Sequence, residues 1–330
     1  MSLNIDQILN ETKRFVDQNP KILNGAIMSS EILLNRYARL VPKIRGEFAT
    51  VNAVLGHVVQ QFTPEWTEMG NAQFRGKQLK NYHQKVNFGF TPAEILGSWI
   101  EQKYNEGVEL KDKEISRHIM TMLKAKIISD VNILSVKGVF DAAQPTVFGK
   151  SMNGLNKIHT DLHANLVNPS FKVPVDAIDE NNILAMVTEF ERAIPEQYKD
   201  SVQTINLSVT NAENYLLAYE DQFGKNTDYT GNKGLRTRLG KRLIVPIPNL
   251  GNDISATVAG NLCRLTDVVE NPGTITDVQK QDYKIKLFGE FTLGYDYAVN
   301  ELVIQSSTTA AQRGLGDAAL NKLYYPEDFA

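Results

Sequence analysis

The sequence predicts an α+β fold, and three features carry that expectation. Residues 112–136, a run of about 25, repeat apolar positions at helical spacing. Several short stretches, among them 79–90 and 202–209, alternate with period two as strands do. Helical and strand patterns follow one another in mixed order over 330 residues, with 42% hydrophobic and 22% charged content. That is the balance of a globular chain, long enough for roughly two domains of about 100–200 residues each.

Two amphipathic helical stretches open the chain. Ile5, Ile8, Leu9 and Phe15 share one face, and Ile32, Leu33, Leu34 and Leu40 recur in a second helical stretch over 27–41 that Pro42 ends. Their apolar stripe must cover something else. Residues 51–62 then form a β-rich run. In 79–90, Tyr82, Gln84, Val86, Phe88 and Phe90 alternate with Leu79, Asn81, His83, Lys85 and Asn87. Together the two runs predict a hairpin whose tip, 63–76, carries Trp66 and Phe74 and has no core of its own. An isolated two-stranded hairpin is marginal in water, so this one needs a partner.

Thr91, Pro92 and Glu94 read as a helix start with a capping box. In the long helix that follows, Ile115, Ile119, Met122, Leu123, Ile127, Val131 and Leu134 form the apolar stripe, Asp112 caps the start, and Gly138 stands where a left-handed terminator belongs. At about 1.5 Å per residue the rod is roughly 37 Å long, against a mean of about three turns. Residues 148–166 hold a short helix, and 182–194 form an amphipathic helix ending before Pro195. A strand at 202–209 leads into a helix capped by Thr210 and Glu213. The polar, Gly-rich stretch 221–234 is a long loop of the kind that is functional or disordered. Residues 242–251 resume as a strand, at a sheet edge because of Pro246 and Pro248. Residues 283–305 read as two strands around Gly294, and a small-residue tail follows from Ser306.

Composition excludes several classes of function. With 35 basic and 38 acidic residues the net charge is −3, unlike a dedicated nucleic-acid binder. No apolar run approaches the roughly 20 residues needed to span a bilayer, and the N-terminus lacks a secretory pattern. The single cysteine, Cys263, sits among apolar neighbours and reads as a buried thiol in a reducing compartment. His159 and His163 share a helix face at metal-ligand spacing, but no third ligand accompanies them, so a solvated face is expected. The segment 224–242 mimics a phosphate loop. Five residues separate Gly234 from Gly240, however, and Arg242 follows Lys241 where Ser or Thr should stand. It is read as an exposed basic loop whose Lys233, Arg236, Arg238, Lys241 and Arg242 line a subunit junction or touch phosphate. Gly314-Leu315-Gly316 lacks the context of a dinucleotide site. No catalytic site, cofactor or metal is indicated, and the chain reads as a non-enzyme.

The order of these elements resembles the major capsid proteins of tailed phages, which share the Hong Kong 97 (HK97) fold. RLVPKIRGEF and VVQQF resemble the arm running into the extended E-loop, and GNAQFRGKQLKNYHQKVNFGFTPAEIL its return. Residues 112–138 are similar to the spine helix, SVTNAENYLLAYEDQFG and GKRLIVPIPNLGND to the axial domain, and LFGEFTLGYDYAVNELVI to the strands that rejoin the peripheral domain. The resemblance implies an N-terminal arm at 1–50, an E-loop hairpin at 51–90, and a peripheral domain at 91–165 with its spine helix near 112–137. The axial domain would follow at 166–280, the returning strands at 281–305 and a C-terminal tail at 306–330.

It further implies self-assembly into pentamers and hexamers of an icosahedral or prolate head around double-stranded DNA, held without sequence-specific contacts. The alternative under the same fold is an encapsulin-like shell around protein cargo. Trp66, Phe74, Arg75, Lys77, Tyr82, Val86 and Phe88 are then expected at E-loop subunit contacts, and Asp228, Tyr229, Lys233, Arg236 and Arg238 at axial-loop contacts. The N-terminal helices are expected to gain their cover from a neighbour too. Lys77, Lys80 and Lys85 lie where some relatives carry a cross-linking lysine, but nothing identifies its partners, and solvated or carboxylate-paired lysines are expected. A portal and separate scaffolding or decoration proteins are the implied partners, with no membrane. Since the hairpin is reached by about residue 51, no scaffolding segment is expected within the chain. The implied location is the virion capsid, assembled in the host cytoplasm.

Overall fold

The computed structural model describes residues 5–70, 72–92, 115–224, 234–268 and 273–329. Two five-stranded sheets, each with its own helices and core, make up the body, and a separate two-stranded ribbon lies beside them.

The first sheet is organised by one long strand. β11 (Lys284–Tyr297) pairs along its first half with β10 (Thr274–Gln281) on one side. On the other side it pairs with β4 (Tyr82–Phe90), from Ile285 opposite Phe90 to Leu293 opposite Tyr82. Its last four residues pair with β9 (Leu262–Leu265), which in turn holds β1 (Arg39–Val41) in parallel. Gly294 is therefore not a turn. A Cβ there would stand 2.5 Å from the Lys80 carbonyl oxygen, so glycine allows the crossing chain to pass. The chain reverses instead at Asp282, whose φ of 54° is the left-handed conformation a tight turn needs.

The long helix α3 (Ile115–Lys137) packs on this sheet. Ile119, Ile127, Val131 and Leu134 are buried as the spacing requires, whereas Met122 is exposed. Its capping residue Asp112, like Ala93 and Glu94 of the expected capping box, lies outside the described residues. Gly138 follows the helix without a left-handed φ. A Cβ on it would come within 2.4 Å of the Met152 carbonyl oxygen, so close approach is what requires glycine. Helices α1 (Ile5–Gln18) and α2 (Ile22–Ile27) cover the sheet and α3. Ile8, Val16, Leu23 and Ile27 are buried, and Thr12 bonds Ser116 at 2.9 Å. The N-terminal helices thus find their apolar cover in their own chain, not in a neighbour.

The second sheet runs β5-β12-β8-β6-β7. Its members are β5 (Phe171–Pro174), β6 (Thr204–Ser208), β7 (Leu243–Ile247), β8 (Ser255–Thr257) and β12 (Val303–Ser307). β7 lies at the edge, as Pro246 demands. Helix α4 (Leu155–Ala164) belongs to the first core, while α5 (Ile183–Ala193) and α6 (Val209–Phe223) serve the second. Helix α6 starts two residues earlier than expected: Ser208, not Thr210, caps it by accepting the Asn211 N–H. The residues after Ser306 do not form a loose tail. Asp317 caps α7 (Ala318–Tyr324), and Leu315, Leu320, Tyr324 and Tyr325 complete the second core, with Tyr325 edge-on to Phe171 at 4.7 Å between ring centres.

The ribbon pairs β2 (Glu47–Leu55) with β3 (Ala72–Lys80), Glu47 opposite Lys80 and Leu55 opposite Ala72. The expected hairpin of 51–62 with 79–90 is corrected here. The return strand breaks at buried Asn81, whose side chain donates to the Ile44 carbonyl, and everything beyond it joins the first sheet. Tyr82, Val86 and Phe88 therefore pack on the body, Tyr82 buried in the core beside Phe140.

Candidate assembly surface

The ribbon has two unlike faces, because alternate residues of a strand point to opposite sides. One face carries Thr50 and Asn52 from β2 and Arg75 and Lys77 from β3, and it lies against the body. Asn52 donates to the Tyr324 hydroxyl at 3.4 Å, and the Arg75 guanidinium donates to the Val167 carbonyl at 2.6 Å. Lys77 donates to Asp296 at 2.7 Å, to Asn300 at 2.5 Å and to the Tyr297 carbonyl. Asn168 donates to the Gly76 carbonyl at 3.1 Å. Arg75 and Lys77, expected at a subunit contact, are thus engaged inside the chain, and the Lys77 side chain is only 15% exposed. Lys80 is paired with Glu47, and Lys85 is exposed.

The opposite face is apolar and uncovered. Val51, Leu55 and Phe74 stand there with Ala49, Ala53 and Ala72, and Phe74 is 72% exposed. The connecting segment adds Val59, Phe62 and Trp66, each more than four-fifths exposed. Along the middle of the ribbon this inverts the usual arrangement, with Thr50, Asn52, Arg75 and Lys77 turned inward and Val51 and Phe74 turned to water. Toward the two ends of the inner face, Val54 and Leu79 pack on the body. Exposed apolar side chains gathered on one element in this number mark interaction sites. Burying the three aromatic side chains alone would remove about 400 Å² from water, worth about 10 kcal/mol before ordering costs.

Under the ribbon, burial raises the Asp296 carboxyl above its ordinary range, and Lys77 pulls it partly back. Burial likewise raises Glu301, opposed by its own backbone and by Arg75. Asp296, Asn300, Glu301, Asn168 and Tyr324 come from three distant stretches. Sequence reading missed this seat because no spacing pattern connects residues so far apart.

The remaining sequence candidates resolve otherwise. Arg242 is buried, 3% exposed at its side chain, and grips Glu191 at 2.7 Å while donating to the Val202 and Lys199 carbonyls. It anchors the basic loop from within. Arg236, Arg238 and Lys241 are exposed, and Arg238 lies over the Phe223 ring at 4.8 Å. Asp228, Tyr229 and Lys233 lie outside the described residues. Cys263 is fully buried in β9. Gly314 bridges to Lys172 and Leu315 is buried, so that stretch is a structural corner. No helix among the described residues is long and apolar enough to cross a membrane.

His159 and His163 share α4 but have separate partners. His159 is buried, bonds the Tyr297 hydroxyl at 2.9 Å and stacks on its ring, whereas His163 lies near Thr309 and Ser307. No group of three metal-binding side chains occurs among the described residues. Burial pushes the His159 imidazole down to about 4 from 6.5. A depressed pKa stabilises the fold fully above the unfolded value and loses that contribution as pH falls from 6.5 toward 4. Acidification over that window should cost about 3 kcal/mol at most, and His159→Gln should shrink the difference in stability between urea titrations at pH 7 and pH 4.5.

No family model matches the chain, and no curated protein matches its sequence. Solved structures do resemble it. A chain of the satellite phage P4 procapsid that includes the size determination (Sid) protein aligns over 86% of this chain and 96% of its own, with a TM-score of 0.53 at 10% identity. A chain of the capsid of cyanophage A-1(L) aligns over 84% and 92%, with a TM-score of 0.53 at 14% identity. Alignment over more than four-fifths of this chain and more than nine-tenths of each of those at such low identity is a likeness of fold, and the fold is that of HK97-like phage capsid proteins.

Proposed function

We propose that this chain is the major capsid protein of a tailed phage, a structural shell subunit that associates with itself as pentamers and hexamers around double-stranded DNA. The carrying observation is the ribbon's inverted polarity. A chain meant to stay alone would turn Val51 and Phe74 toward its body and Lys77 toward water, and this one does the reverse. Within this reading the ribbon is the E-loop, α3 the spine helix of a peripheral domain built on β11, and the second sheet the axial domain. Trp66 and Phe74 make the E-loop contacts, and exposed Arg236 and Arg238 lie at the axial junction. A net charge of −3 suits a container that must release its cargo, because each neutralised phosphate would add affinity.

Electron microscopy of the purified chain tests the reading. Closed shells with fivefold and sixfold clusters are expected, and nuclease-protected double-stranded DNA inside particles made during infection. A co-purifying protein cargo in place of DNA would move the assignment to the compartment class. A monodisperse monomer at high concentration would overturn it.

A further inference from the structure

The apolar face of the ribbon is available to a neighbour, but the ribbon itself is tied down. Lys77 is the tie. Its ammonium reaches three acceptors at once, the Asp296 carboxylate at 2.7 Å, the Asn300 amide oxygen at 2.5 Å and the Tyr297 carbonyl, all within the carboxyl-terminal quarter of the chain. The three donors of a lysine are thereby satisfied in one place. The other contacts of the middle of the ribbon are single ones: Arg75, Asn168 and Asn52 add polar contacts, and Val54 packs on the second core. The base is a fixed pivot, where the Asn81 N–H meets the Gly46 carbonyl at 2.6 Å and Leu79 is buried beside Ile44, next to two left-handed backbone positions. Gly46 has φ +61° with nothing within 4 Å of a would-be Cβ, and Lys43 has φ +67°. On the other strand, the break at Asn81 separates the ribbon from the first sheet.

We propose that Lys77, Asp296 and Asn300 form a polar latch that holds the ribbon on its own subunit, and that opening this latch sets the rate at which subunits associate. The inference rests on the assembly reading above for its second half only. Polar contacts suit such a latch. An apolar seat would hold the ribbon as firmly as a neighbour does, whereas these groups regain water when the ribbon swings out, so the closed state is favoured only modestly. The ribbon moves as one body, because the β2–β3 pairing does not involve the latch atoms.

Spin labels on Gln78→Cys in the ribbon and Thr160→Cys on α4, both exposed positions, report the closure, and buried Cys263 stays unlabelled. At dilutions where the chain is unassembled, the parent should give one narrow distance. Lys77→Met should add a longer, broader population, with the open-to-closed ratio raised about tenfold or more, the factor expected for losing charge-assisted hydrogen bonds. Light scattering on raising the concentration should then show a shorter lag. Asp296→Asn preserves volume and removes the charge, and it serves the same purpose if Lys77→Met fails to fold. An unchanged distance distribution in the folded variants would overturn the latch. Opening without faster association would overturn its control of assembly. A parent chain that forms no particles while the labels behave as expected would sink the capsid reading and leave the latch standing.

Discussion

Aspartate at Val51 and Phe74 together is expected to leave a folded, soluble subunit and to abolish particles. Neither side chain contributes to any buried core, since both project from the outer face of the ribbon at 67% and 72% exposure. The fold should therefore lose less than about 0.5 kcal/mol, the usual range for surface substitutions. Association meets the opposite situation. Each aspartate that a neighbour would cover must surrender its hydration, at a cost of several kcal/mol per buried, unpaired charge. The apolar gain of Phe74 disappears as well, and the penalty recurs at every copy in a shell. Circular dichroism melting should superimpose on the parent, while electron microscopy and sedimentation should show only unassembled subunits. Particles of normal size and yield from the double variant would show that another surface holds the subunits together.

The largest effect on the fold itself is expected at Arg242. Replacing it with methionine leaves Glu191, whose side chain is 0% exposed, without its counter-ion. Thr237 remains as a donor to the same oxygen, but a hydroxyl does not compensate a buried charge. Breaking such a pair from one side costs about 3–5 kcal/mol. The loss should appear as a lower urea midpoint with an unchanged slope. The double variant Arg242→Met/Glu191→Leu should recover most of the loss, because two apolar side chains replace two desolvated ions. If the double variant is as unstable as the single one, the backbone contacts to Lys199 and Val202, and not the ion pair, are what Arg242 supplies.

Much of the architecture was legible in the residues. The stepping of Ile119, Ile127, Val131 and Leu134 specifies a long helix with one buried side, and the structure has it. Met122 breaks the stripe because, at about 100° per residue, it stands well around the rod from the side on which Ile119, Ile127, Val131 and Leu134 are buried. The alternation in 82–90 specifies a strand with Tyr82, Gln84 and Phe90 inward, and that too is observed. Trp66 is as uncovered as a hairpin tip without a core should be, whereas Phe74, expected in that tip, is uncovered within strand β3.

Pairing was not legible. Period two reports which residues share a face and says nothing about which strand lies alongside. Residues 82–90 have their partner about 200 positions later, at 285–293, while the arm that was expected to hold them pairs with 72–80. The switch is a single residue, Asn81. Leu79 before it is buried against Ile44 and Leu265, and Tyr82 after it enters a different core, so the inward phase shifts across the break. The tail escaped for a similar reason. Leu315, Leu320 and Tyr325 are too sparse for a local pattern and become core only once Phe171 and the second sheet surround them.

Local spacing, which depends on rotation per residue, by itself determined the long helix, the strand at 82–90 and which side of each is apolar. It did not determine the second N-terminal helix expected over 27–41, where the chain has a 3-10 turn at Leu33–Arg36 and strand β1. The tertiary structure alone decided where each apolar side goes. It covered the N-terminal helices, drew Lys77 and Arg75 inward onto one carboxylate and several amide and backbone carbonyls contributed by remote stretches, and left the face bearing Val51 and Phe74 open. The physical reason is range. A periodicity is written within a few residues, whereas burial and charge pairing depend on which distant segments the fold brings together.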